Sequence, residues 1–281
     1  MRFIPVRSNL WPLMIIVLAS AVSGLAEVPP AAPLATAPAL DPAVDKILTR
    51  LENRTVHDLR AQVTWRLQYV MDDEEDAISK QGQIWYQQQE PVSKFLVHFE
   101  RSISAGRAHR LDERHLFDGQ WYVSLDSQTR TVVRRQVRRP DDRHNPYRLG
   151  EGPFPVPFGQ KKSDILAEFE VTLVAPEAGD PPDTDHLRLE PRPDSQTGRT
   201  YKTVDVWIAR EGPHHGLPFK VHTSKKDGTG QINSFISITF SEARLNEGFS
   251  GGVFEIKTPR GYQEEVEELR PAQPPAAADT P

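Results

Sequence analysis

The chain has 281 residues, a hydrophobic fraction of 37%, 25 prolines and a formal charge of −5. That length suits one large β-rich domain or two small ones. The acidic balance argues against nucleic acid as a partner, and the absence of cysteine excludes thiol catalysis, disulfides and lipid attachment through that residue.

Arg2 and Arg7 precede an apolar run from Leu10 to Val22, and Gly24, Leu25 and Ala26 follow as small or cleavable residues. Residues 1–26 are therefore expected to be an export signal, which places the protein in the periplasm or another extracytoplasmic envelope compartment. An uncleaved anchor is the alternative, although the run falls short of the roughly 20 residues that span a bilayer. Residues 27–40, rich in Pro and Ala, read as a linker, residues 41–269 as a β domain, and residues 270–281 as a disordered tail.

Asp41 and Pro42 have the chemistry of a helix start. Val44, Ile47, Leu48 and Leu51 then fall on one face of a helix ending near Asn53. From Leu59 to Tyr69 apolar and polar residues alternate, with Val63, Trp65 and Leu67 on one side. Such alternation predicts an antiparallel strand with one dry face. The acidic run Asp72–Asp76 lacks the glycine and the distal glutamate of a calcium loop and reads as a solvated hairpin tip. Further strands are expected at 80–88, at 94–101 with Phe95, Val97 and Phe99 together, and at 109–117. A hairpin follows from Leu116 to Val137, with Trp121 and Val123 alternating against Tyr122 and Ser124.

Prolines and glycines break the pattern between Pro140 and Gln160, where Phe154, Val156 and Phe158 give the loop an apolar side. Ser163 is a candidate cap for a short helix through Glu168. Strands are then expected near 169–173, 186–190, 202–209 (with Val206 and Ile208), 219–223, 232–240 and 252–256.

An amphipathic antiparallel sheet of this size must hide one face. A second sheet could cover it. The short helices and the aromatic loop favour the other solution, a mainly β fold in which one strongly curved antiparallel sheet forms an incomplete barrel with helices as a lid.

The blocks Phe117–Val132, Leu217–Phe240 and Asn246–Gly261, following an amphipathic helix and the Val63/Trp65 strand, resemble in order and spacing the LolA/LolB-like periplasmic lipoprotein-carrier superfamily. The resemblance covers residues 40–266. It implies noncovalent binding and carriage of lipid or lipoprotein acyl chains through the envelope, with inner- and outer-membrane transfer partners and no cofactor. Without a cysteine after the signal, the chain is expected to be the soluble member of such a system, and a monomer. A stress-sensing or regulatory protein that binds a lipidated partner on the same scaffold is the alternative. Candidate cargo-lining residues are Val63, Trp65, Leu67, Phe95, Val97, Phe99, Trp121, Val123, Val206 and Ile208, each with an equally simple role as ordinary core. Val44, Ile47, Leu48, Leu51, Phe154 and Phe158 are candidate lid residues.

Catalysis has no comparable signal, and the chain is not expected to be an enzyme. Paired metal-ligand spacing is missing, and Ser124 has no glycine-framed elbow. His214 and His215 sit in a turn, while Asp112, Glu113, His115 and Asp118 are acid–base groups that strand alternation partly separates. Gly248, Gly251 and Gly252 lack the lysine of a phosphate loop. The basic run Arg130–Arg139 is suited to solvent, an acidic partner or anionic headgroups.

Overall fold

The computed structural model describes residues 40–89, 93–140, 160–212, 214–249 and 251–269. The expected signal, most of the linker, the tail, and Phe154, Val156 and Phe158 lie outside these residues. Helix α1 (Pro42–Asn53) begins as its sequence requires, with the Asp41 carboxylate accepting the Ala43 amide at 2.7 Å and Pro42 opening the first turn. Val44, Ile47, Leu48 and Leu51 are its buried face. Asp41→Ala should lower stability by ~1 kcal/mol, the usual value of an N-cap. Thermal unfolding checks this, and an unchanged midpoint would show that the tertiary contacts alone hold the helix end.

The strands are β1 (Asp58–Tyr69), β2 (Ile78–Gln87), β3 (Lys94–Ser104), β4 (Arg107–Phe117), β5 (Trp121–Asp126) and β6 (Thr131–Gln136). After α2 (Lys162–Glu168) come β7 (Phe169–Val174) and β8 (Thr184–Pro191). Then follow α3 (Gln196–Thr200), β9 (Tyr201–Ala209), β10 (Pro218–Lys226), β11 (Ile232–Leu245) and β12 (Gln263–Glu267). The turns carry the expected chemistry. Asp118 accepts the amides of Gln120 and Trp121 at 2.9 and 2.8 Å, and Asp126 accepts that of Gln128 at 2.7 Å.

Among the described residues all twelve strands form one sheet, in the order β12-β6-β5-β4-β3-β2-β1-β11-β10-β9-β8-β7. Neighbours are antiparallel except β12, which lies parallel to β6. The middle of the sheet joins β1 to β11, so strands near opposite ends of the chain are partners.

The expected incomplete barrel is not formed. The sheet is neither closed nor strongly curled, and β12 and β7 stand at its two ends instead of pairing across a seam. The physical reason lies in local covers, which hide apolar surface on both faces without requiring the sheet to wrap round itself. The side chains of α1 with Ile165 of α2 bury Leu187, Leu189, Val204, Val206, Ile208 and Val221. On the opposite face of the other half, Ile256 and its neighbours Val253, Phe254 and Tyr262 pack on Leu96, Leu116, Val123, Leu125 and Val132. A third core, with Val63, Phe95, Val97 and Phe99, lies between these regions.

Three local expectations also change. Helix α2 starts one residue earlier than Ser163 with no side-chain cap, its start held by the Lys162 ammonium, which bonds Asp45 and Thr49 of α1. The connection between the strands expected at 186–190 and 202–209 contains α3, capped by Ser195 on Gly198 at 2.9 Å. Residues 252–256 are not a strand: Ile256 is buried as a packing residue, and the last strand is β12.

Candidate functional site

Strand pairing fixes which side chains share a face. Reading across the sheet, Leu173, Leu187, Val206, Val221, Ile238, Trp65 and Lys80 stand side by side on β7, β8, β9, β10, β11, β1 and β2. This apolar face continues through Ile84, Val97 and His115, and through Tyr86, Phe95, Phe117 and Tyr122. One cover, α1 with α2, hides the β7–β10 half.

A break in the ladder opens a pocket in this face. Arg60 pairs Arg244 and Gln62 pairs Ser241, so β11 carries an extra residue opposite Ala61. Such a bulge bends its strand and interrupts pairing. Glu242 takes up the irregularity in the left-handed region, at φ 51°. Beside it lies a cavity of about 110 Å³, walled by Leu59, Ala61, Leu217, Phe240, Ala243 and His214. The Nδ1 atom of His214 is buried without a hydrogen-bond partner. The turn that carries His214 and Leu217 touches α1 through Gly216, which leaves little room beside Arg50 and Arg54.

Farther along the same face lies a polar group among aromatic rings. His115 Nε2 is 2.7 Å from Glu113 Oε1, its Nδ1 is 2.7 Å from the Tyr122 hydroxyl, and Lys80 Nζ donates to Glu113 Oε2 at 2.6 Å. With Nε2 protonated, the imidazole donates to Glu113 and accepts from Tyr122. Burial alone would raise the Glu113 pKa, but hydrogen bonds and charge from His115 and Lys80 prevail and hold it at about 2. Burial, reinforced by the Glu113 charge, raises the Tyr122 phenol above its ordinary range. The strand period makes Glu113 and His115 neighbours on one face, whereas Lys80 arrives from another strand and has no sequence signal. Asp112 points the other way, 2.9 Å from His98 and 2.8 Å from Arg114, and Asp118 is spent on its turn.

Eight of the ten candidate lining residues share the face with the pocket. Val63, Trp65, Phe95, Val97 and Phe99 belong to the central core, Val206 and Ile208 lie under α1, and Leu67 is half-buried at the far end of β1. Trp121 and Val123 lie on the opposite face, because Tyr122 and Ser124 take the inward positions on β5. Of the candidate lid residues, Val44, Ile47, Leu48 and Leu51 pack over β8, β9 and β10 and not over Val63 or Phe99. Sequence reasoning missed the pocket itself, since a bulge leaves only a slip in alternation around Ser241 to Ala243.

Polar clusters occupy the other face. His222 Nδ1 is 2.8 Å from Ser237 Oγ beside a cavity of about 270 Å³ that also borders Arg66 and Phe235, and burial lowers the His222 pKa despite the nearby Asp205 charge. Asp205 is held by His186 and Arg188, both at 2.9 Å, and is not among the hydrogen-bond partners of His222. The row therefore lacks the third member of a hydrolytic triad. Among the described residues no group of three or more His, Cys, Asp or Glu side chains could hold a metal ion, and no helix is long and apolar enough to cross a membrane.

No protein-family model matches the sequence, and no curated protein matches it. Several solved structures are remotely similar. An uncharacterized conserved protein from Thermus thermophilus matches with 10% identity and a TM-score of 0.46 over 80% of this chain and 99% of that one. A DUF1329 family protein from Desulfovibrio piger matches at 14% and 0.41, over 76% and 96%. A LolA superfamily protein from Nitrosomonas europaea matches at 12% and 0.36, over 75% and 97%. Likenesses of this degree do not assign the chain to a family.

Proposed function

We propose that the protein binds an apolar ligand noncovalently and carries it through the cell envelope, the ligand being the acyl part of a lipid or lipoprotein. The observation that carries this reading is the apolar pocket beside the β11 bulge, with the unpartnered Nδ1 of His214 in its wall. Ligand sites of this kind combine an apolar lining with a few placed polar groups, and an acyl chain ending in an ester or carboxyl has both parts.

Magnitudes limit what enters. A cavity of about 150 Å³ can take benzene, so one of about 110 Å³ takes the end of a chain and not its whole length. Four methylenes removed from water contribute about 3 kcal/mol. That corresponds to millimolar affinity or weaker, which suits cargo that must be released to a membrane or a transfer partner. Lifting α1 would expose four buried side chains at a cost of roughly 8 kcal/mol. The helix therefore acts as a fixed cover.

Ala61→Phe fills the pocket from β1 and should weaken a fluorescent fatty-acid ligand at least about tenfold, since a blocked cavity forfeits over 1.4 kcal/mol of its apolar contacts. Fluorescence titration of both proteins checks this. Equal binding by wild type and variant, or none by the wild type, sinks the proposal.

A further inference from the structure

The arginine-rich strand invites an acidic contact, and the structure supplies one from the chain itself. Strand β12 runs parallel along the outer edge of β6, with Glu264 level with Val132 and Glu267 level with Arg135. Arg134 pairs with Glu264, and Arg135 holds Glu267 through Nε at 2.6 Å and Nη2 at 3.1 Å. The Gln263 amide donates to the Arg130 carbonyl at 2.9 Å.

This occupant is lightly held. All five of its residues are exposed, and its one apolar side chain, Val266, keeps 57% of its surface in solvent. Its ion pairs lie at the surface, where water and salt weaken them, and a parallel ladder is the less stable kind. The strand beneath is firm by contrast, with Val132 at 0% exposure inside the core of Leu116, Val123 and Leu125. Ile256 anchors the chain in that same core. Tyr262 packs on that core as well, so the part that can leave without disturbing the anchor begins at Gln263, where every residue to Glu267 is exposed.

We propose that the outer edge of β6 is a docking site for an extended acidic segment of a partner protein, with residues 263–267 as its resident, displaceable occupant. Two features select that chemistry. A row of backbone donors and acceptors on a strand edge is matched by another polypeptide strand and not by a lipid headgroup. Arginines at successive positions along it favour carboxylates on the incoming segment. The resident strand meets both requirements and so shows the kind of sequence that the edge accepts. This site is independent of the acyl pocket, which lies on β1 and β11.

The test uses the full chain and a fluorescein-labelled peptide of residues 262–268, YQEEVEE. The double variant Glu264→Lys, Glu267→Lys sets two like charges against Arg134 and Arg135 and should release β12. It is expected to bind the peptide at least about tenfold more tightly than wild type at low salt, and binding should fall by about tenfold or more as salt rises from 0.05 to 0.5 M. Adding Arg134→Glu should abolish it. Amide exchange on the wild type gives a second reading, in which residues 263–267 should exchange far faster than β5. Protection of β12 equal to that of β5, absence of peptide binding by the released variant, binding of anionic vesicles instead of peptide, or failure of the variant to fold would each overturn the proposal.

Discussion

Gly82→Ala is expected to destabilise the protein by ~3 kcal/mol, the upper range for overpacking a rigid core. A Cβ at this position would lie 1.9 Å from the His98 carbonyl oxygen and 2.7 Å from the Phe99 Cα, and both belong to the backbone. Flexible side chains can swing away, but these atoms move only if β2 and β3 separate. The register slips here, between Gln81/Gly82 on β2 and Phe99/Arg101 on β3, so the strands already approach closely at an irregular point. Urea unfolding measures the loss. A change below ~1 kcal/mol would show that the ladder relaxes at little cost, contrary to the packing inferred for this row.

Glu113→Ala is expected to cost ~2–3 kcal/mol at neutral pH. Removing one member of a buried ion pair typically costs about 3–5 kcal/mol, and here the Glu113 and Lys80 side chains keep 15% and 25% exposure, which moderates the loss. The variant leaves the Lys80 ammonium without its counter-ion and His115 without its Nε2 partner. The pH dependence follows from sign. The folded pKa of Glu113 lies below its unfolded value, so its contribution is complete above the ordinary carboxylate range and disappears as pH falls through about 2. Wild type and variant should therefore converge in stability between pH 5 and pH 2. A gap that stays constant over that interval would mean that Glu113 acts through packing and not through charge.

Local structure was legible where a short-range period carries it. Val44, Ile47, Leu48 and Leu51 announce the buried side of α1, the alternation from Leu59 to Tyr69 announces β1, and Asp118 and Asp126 announce the turns round β5. Strand order was not legible, because nothing near Leu59 indicates that it will face Leu245. Closure into a barrel depends on the stagger accumulated round a whole sheet, and alternation looks the same in an open sheet as in a closed one. Strand β12 escaped notice since QEEVE has no dry side. Its place is set by arginines 130 positions away in sequence, as with Arg134 and Glu264. The face of Trp121 and Val123 was misleading for a related reason. With cores on both faces, both registers of that strand carry apolar residues.

The pairing of β1 with β11 at the centre of the sheet also has a kinetic meaning. Strands β1 to β6 form successive hairpins, as do β7 to β11, so each half can assemble from near neighbours. The stitch between them waits until β11 has joined its own half. Throughout that interval β1 offers an unpaired edge with Val63, Trp65 and Leu67 beside it, a template for association with other unfolded chains. The slow step in maturation should thus be the joining of two half-sheets, and shielding β1 during folding should raise the yield of folded protein more than any aid given to the hairpins.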